Sequence, residues 1–201
     1  QFGFAIALDG TQLAIGAPRD DGFSESAIDS GAVYLISFLD TAFNSASIEA
    51  TFGVGYTGPK DFNVQNLSAG DQLGNSVSLD GNRLAAGATF DDGLGNAVVD
   101  AGAAYLFTFA DATFDTPRLA AIIGAGYDSM GGRNLNVASL IAFDGFGKVS
   151  LDGNRLVVGS PNDDGRSDNI ANRGAVYLFT FEDAAFNNGR IEGTLGAGYT
   201  D

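Results

Sequence analysis

Apolar residues along this chain fall in short runs punctuated by glycine, aspartate and asparagine, and the runs keep a fixed order. In FGKVSLDGNRLVVGS, from Phe146, an alternating stretch over Gly147 to Leu151 meets the turn Asp152-Gly153-Asn154, and a second stretch returns from Arg155 to Gly159. Alternation on both sides of an Asp-Gly or Gly-Asn pair predicts a tight β-hairpin. Asp9-Gly10 and Asp80-Gly81 stand at the same point of two earlier copies. The returning stretches LAIGAP, LAAGAT and LVVGSP consist of small and β-branched residues, which suits an inner place where backbones converge and large side chains would clash. Gly16, Gly87 and Gly159 are therefore expected at equivalent, crowded sites.

A loop opened by Asp-Asp-Gly follows in each copy, then GAVYLISF, GAAYLFTF or GAVYLFTF. These last runs are apolar on both faces, the mark of a strand in a sheet stacked between two others. After a polar turn containing Asp40, Asp111 or Asp183 comes a fourth stretch, SIEATFGVGY, RLAAIIGAGY or RIEGTLGAGY. The LDG triplets begin at Leu8, Leu79 and Leu151, so the unit repeats after 71 and then 72 residues. Such a period outweighs any single motif. It predicts an all-β chain of four-stranded antiparallel blades in a β-propeller-like repeat array, of the kind that packs in rings of roughly 4–8 blades. The divisions expected are 1–72, 73–145 and 146–201, within one continuous repeat domain. Val64 and Leu67 in the first connector recur as Val137 and Leu140 in the second. The connector thus reads as an ordered crossing tacked down by two apolar anchors, not as a free linker.

With 45% apolar and 11% aromatic residues in 201, the chain has material for a substantial core. Its 29 glycines against 4 prolines fit many tight turns. Ten basic against 25 acidic residues leave a net charge of −15, a field that repels phosphate backbones and anionic lipid surfaces and attracts cations. Nucleic acid is not expected as a partner, and no hydrophobic run approaches the length needed to insert in a membrane. The absence of cysteine and histidine removes thiol nucleophiles, Ser-His-Asp triads, the usual structural zinc sites and the commonest proton shuttle. Gln1 in place of an initiator methionine, and an end at Asp201 where another connector is due, suggest an excerpt or a processed piece of a larger protein.

These residues resemble the FG-GAP repeat family, the blades of integrin-α-type β-propellers, and most closely its version in large secreted bacterial proteins. Phe2-Gly3 and Gly16-Ala17-Pro18 spell both halves of the motif; Leu73-Gly74 with Gly87-Ala88-Thr89, and Phe146-Gly147 with Gly159-Ser160-Pro161, are looser versions. The resemblance covers nearly the whole chain and implies an extracellular propeller used for adhesion and recognition, with calcium in some blade loops. One departure matters. Calcium-binding blades of the family carry a D-x-D-x-D-G loop between their first two strands, where this chain has only LDGT or LDGN, so that site is not carried over.

The acidic residues cluster instead in the next loop: Asp20, Asp21 and Asp29, then Asp91, Asp92 and Asp100, then Asp163, Asp164 and Asn172, in one register. Calcium needs several oxygens from one flexible loop, and carboxylates with backbone carbonyls would supply them. An Asx-type turn that leaves its charge in water accounts for the same residues. Paired carboxylates also suit glycoside hydrolysis, but pairs repeated at equivalent places in every blade argue for scaffolding, since a catalytic centre has no reason to recur. Tyr56, Tyr127 and Tyr199, ending the Gly-x-Gly-Tyr stretches, are read as buried anchors of each blade edge, or else as aromatic faces for a carbohydrate.

The expectation is a non-enzymatic structural or adhesive repeat module, extracellular or on a bacterial cell surface, with no cofactor unless the acidic loops hold calcium. Its partners are further copies of the same repeat, in the same chain or in neighbouring subunits, stacked into a ring or a head-to-tail filament. A lectin-like or protein-binding propeller, taking a glycan or a surface protein, is the alternative, and a glycoside hydrolase a third.

Overall fold

The computed structural model describes residues 1–128, 133–167 and 171–199; Asp201 lies outside them. Among the described residues there is no helix, and the strands form three sheets in chain order. The first contains β1 (Ala5–Asp9), β2 (Gln12–Ala17), β3 (Ala32–Ser37), β4 (Ser47–Gly53) and β5 (Phe62–Asn63), side by side in that order. The second repeats it with β6 (Leu73–Asp80), β7 (Arg83–Ala88), β8 (Ala103–Thr108), β9 (Arg118–Gly124) and β10 (Leu135–Asn136). The third has β11 (Lys148–Asp152), β12 (Arg155–Ser160), β13 (Ala175–Thr180) and β14 (Arg190–Gly196).

The first four strands of each sheet are antiparallel meanders, as propeller-like blades require. Each opens on a two-residue hairpin, Gly10-Thr11, Gly81-Asn82 or Gly153-Asn154, whose glycine has φ of 56–57°, a value that favours glycine over any L residue. The β3–β4, β8–β9 and β13–β14 ladders each slip register at the same point, after Leu35, Leu106 and Leu178. A bulge there adds twist to the outer half of each blade.

The expected four strands become five in two of the blades. The connectors lay down β5 and β10 parallel to β4 and β9, each only a residue pair long, too short to leave a periodic signal in the sequence. Polar side chains stitch them on: Asp61 and Asn63 accept from the N–H groups of Thr51 and Gly55 at 2.8 Å, and Asn134 and Asn136 from those of Ile122 and Gly126 at 2.8 and 2.9 Å. Val64, Leu67, Val137 and Leu140 are buried, so the connectors are ordered crossings.

The core lies between blades. Ala14, Val33, Leu35, Ala50 and Phe52 of the first sheet meet Val77, Leu84, Ala86, Tyr105 and Phe107 of the second. The second sheet's other face, Ala85, Ala104, Leu106, Ala121 and Ile123, meets Leu151, Leu156, Val158, Tyr177 and Phe179. Alternate residues of the middle blade thus serve two different interfaces, which is why its strands are apolar on both sides. The outer faces stay open, with Ile6 and Leu8 70% and 55% exposed at one end and Leu195 52% exposed at the other.

The halves of the sequence motif meet across these junctions. A Cβ on Gly16 would fall inside the contact distance of the Gly74 carbonyl oxygen, and one on Gly87 inside that of Gly147. Gly159 differs. It holds the equivalent place in β12, but a Cβ there would meet only Lys148 of its own blade, the side chain at 3.3 Å and the carbonyl oxygen at 3.8 Å. The crowding expected at all three glycines is therefore a property of the junction and not of the blade.

Candidate functional site

Each Asp-Asp-Gly loop joins the second and third strands of a blade and closes on itself. The N–H groups of Gly31, Gly102 and Gly174 donate to the carbonyls of Asp20, Asp91 and Asp163 at 2.9, 2.8 and 2.9 Å. This tie brings the loop back to the start of the third strand and fixes where its carboxylates point.

The first aspartate of each pair points inward, onto two tyrosines. Asp91 accepts from the Tyr105 hydroxyl at 2.6 Å, from Tyr127 at 3.0 and 3.1 Å, and from the Gly93 N–H at 2.8 Å. Asp20 accepts from Tyr34 at 2.7 Å, Tyr56 at 2.9 Å and the Gly22 N–H at 3.0 Å. Asp163 accepts from Tyr177 at 2.7 Å, Tyr199 at 3.3 and 3.4 Å, and the Gly165 N–H at 2.8 Å. One tyrosine comes from the third strand and the other from the Gly-x-Gly-Tyr end, so each carboxylate ties two outer elements to the loop.

The second aspartate turns to the backbone. Asp21, Asp92 and Asp164 accept from the N–H groups of Asp29, Asp100 and Asn172 at 2.7, 2.8 and 2.7 Å. The third residue sits in left-handed backbone, with φ of 52°, 51° and 54°. Aspartate and asparagine both tolerate that region, which accounts for Asn172 without any call on charge.

The nine residues therefore share one register, as expected, but their oxygens do not converge. Among the described residues no group of three or more His, Cys, Asp or Glu forms that could hold a metal ion. In this arrangement Asp20, Asp91 and Asp163 are held by tyrosine hydroxyls and a loop N–H, and Asp21, Asp92 and Asp164 each give one oxygen to a loop N–H. What it can do chemically is brace a blade: charge-assisted hydrogen bonds to a buried carboxylate are among the stronger polar contacts in a protein.

Burial raises the pKa of Asp91 against the opposing hydrogen bonds of Tyr105, Gly93 and Tyr127. Burial also pushes the Tyr105 and Tyr127 hydroxyls well above their usual range, with the Asp91 charge adding to it. A further carboxyl, missed in the sequence, stands nearby. Asp71 of the first connector is buried, accepts from the Ser68 N–H at 2.7 Å, and is lifted to about 7 by burial, with Asp91, Asp92 and Asp100 contributing. Its counterpart Asp144 accepts from the Ile141 N–H at 2.8 Å. The signal was present as an aspartate four places after Leu67 and Leu140, but connectors are otherwise so variable that a single repeated acid carries little weight.

Tyr127 is buried and Tyr56 and Tyr199 are half-buried, with their hydroxyls turned to the aspartates in the anchoring role. On the first blade the loop borders an open cleft of about 360 Å³ that includes Arg19, Asp20, Phe23, Glu25, Tyr34 and Tyr56.

Comparison with known proteins adds one positive finding. A model of the FG-GAP repeat matches residues 1–36, 65–107 and 136–179, once in each blade. No curated protein matches the chain. The matched segments contain the hairpin, the second-strand glycine and the Asp-Asp-Gly loop of each blade, and on that ground the chain belongs to the FG-GAP repeat family.

Proposed function

We propose that this chain is a non-enzymatic structural and adhesive repeat module, working outside the cell as part of a bacterial surface or secreted protein. The observation that carries the reading is the threefold recurrence of one brace: a carboxylate held by two tyrosine hydroxyls and a loop N–H in every blade. Groups tied down in this way stiffen a scaffold, and their repetition leaves no single blade chemically distinguished. Membership of the FG-GAP repeat family supports an extracellular setting.

A lectin-like module is the second reading, favoured by the cleft on the first blade, where Phe23 is exposed beside Tyr56 and the carboxylates of Asp20 and Glu25. An aromatic face next to hydrogen-bond acceptors suits a sugar ring. Retention measurements test both. A surface coated with the chain should hold bacterial cells above an uncoated control, whether or not free monosaccharides are added. Retention abolished by one sugar and by Phe23→Ala would transfer the function to the lectin-like reading, and no retention at all would remove adhesion.

A further inference from the structure

Away from the acidic loops, blade two departs from its neighbours at the end of the sheet where the hairpins turn. In blade one the Ser37 hydroxyl donates to Glu49 at 2.7 Å, and in blade three Thr180 donates to Glu192. Blade two keeps the hydroxyl as Thr108 but has Ala120 in the place of the glutamate. At the first junction Glu49 also pairs with Lys60 at 3.0 Å, and the same ammonium donates to the Thr113 carbonyl, in the turn of blade two, at 2.8 Å. The second junction has Ala185 where Thr113 stands, and Arg133, the counterpart of Lys60, donates to Asn187 at 2.8 Å instead. Small side chains thus take the place of a hydrogen-bonded cluster.

An open cavity of about 600 Å³ lies at this second junction, between the hairpin turn from Asp80 to Arg83, Thr108 and Phe109 at the end of β8, and Ala184 and Ala185 of blade three. Its size falls within the ~300–1,000 Å³ of small-molecule sites. The hairpin wall is held in place. Asp80 accepts from the Gly153 N–H at 2.8 Å and is ion-paired with Arg83, which donates to the Gly153 carbonyl at 2.6 Å and lies over the Phe186 ring, 5.8 Å from its centroid. Both contacts of Asp80 use Oδ2, which leaves Oδ1 for a ligand. Asn82 donates through Nδ2 to the Ala110 carbonyl at 3.4 Å and keeps Oδ1 in the same way. The Thr108 hydroxyl, without the glutamate of its counterparts, is the third such group.

We propose that this cavity between blades two and three binds a neutral carbohydrate chain. An anion would meet the field of a molecule of net charge −15 and an arginine already paired with Asp80. A divalent cation needs several oxygen ligands, and Asp80 is the only carboxylate among the described residues lining the cavity. Sugar hydroxyls both donate and accept, which matches the Thr108 hydroxyl, the Asn82 amide oxygen and the Asp80 Oδ1. The C–H face of the ring matches Phe109 and the two alanine methyls. The site goes beyond the reading of the chain as a structural module. It is also separate from the cleft on blade one, because hairpin turns and Asp-Asp-Gly loops lie at opposite ends of a meander.

Titration calorimetry of the 201-residue chain with maltotriose, cellotriose and N-acetylated chitotriose tests the proposal. At least one of the three should bind at a single site. Thr108→Val, which keeps the shape of the side chain and removes its hydroxyl, should weaken that binding about tenfold. Ala184→Leu, at an exposed turn position that borders the cavity, should weaken it by narrowing the space. Both variants should unfold in urea at the midpoint of the parent chain. No binding of any of the three sugars, or binding unchanged in both variants, overturns the site. Binding lost in Phe23→Ala and kept in Thr108→Val overturns it too, by moving the sugar to blade one. The cell-retention measurement reads the module proposal independently of these titrations.

Discussion

At the scale of single residues, identical aspartates differ in what they support because they differ in burial. Asp91 is 1% exposed, so Asp91→Ala strands two tyrosine hydroxyls and a loop N–H away from water. The expected loss is about 2–4 kcal/mol in urea unfolding. Asp20 makes the same bonds beside an open cleft, where water can replace the carboxylate, and Asp20→Ala should cost about half as much. Equal losses would show that the tyrosines, and not burial, set the value. Geometry bears on calcium as well: titration calorimetry with calcium should give no heat, because among the described residues no three acidic side chains come together to hold the ion. Heat that disappears in the Asp91→Ala, Asp92→Ala double variant would restore the loops as a metal site.

Among the strands, the governing quantity is how closely consecutive blades approach. Gly16 and Gly87 have no room for a Cβ because the opposing neighbour is backbone, which cannot swing aside as a side chain does. Gly87→Ala should therefore cost about 3 kcal/mol or more and lower the unfolding midpoint sharply, whereas Gly159→Ala should leave it within error. Matching effects at the two positions would mean that the glycines serve the blade itself and not its junction. The fifth strands show the same logic. β5 and β10 exist because Asn63 and Asn136 reach N–H groups beyond the ends of β4 and β9, a contact with no periodic trace.

For the molecule as a whole, the acidic balance predicts how stability follows pH. Asp71 holds its proton up to about 7 in the folded chain against an ordinary value of 3.8. Between those values the native state keeps a proton that the unfolded chain has lost, so stability falls as pH rises through the window. Asp40, Asp111 and Asp183 act at the acid end. Hydrogen bonds from their own turns lower their pKa, giving stability that is present above the unfolded value and lost as pH falls below it. A stability maximum on the acid side of neutrality follows, with a lower urea midpoint at pH 8 than at pH 5. Asp71→Asn, which keeps an acceptor for Ser68 without the charge, should raise the midpoint at alkaline pH and flatten that slope. A slope unchanged in the variant would place the pH dependence elsewhere.

Much of this was legible in the chain because it is local or periodic. Alternation, the Asp-Gly turns and the threefold recurrence of LDG and Asp-Asp-Gly identify the meanders, their order and the register of the acidic loops, since each depends on residues near one another in sequence. The direction of each carboxylate is a different matter. Asp91 and Tyr127 are 36 residues apart, and nothing in their spacing says that one faces the other. The same holds for Gly87 against Gly147 and for Asp80 against Gly153, whose meaning arises only when two blades are laid together. Gly159 and Asp152 repeat their counterparts in sequence, yet only the packing of blades separates the filled positions from the exposed ones.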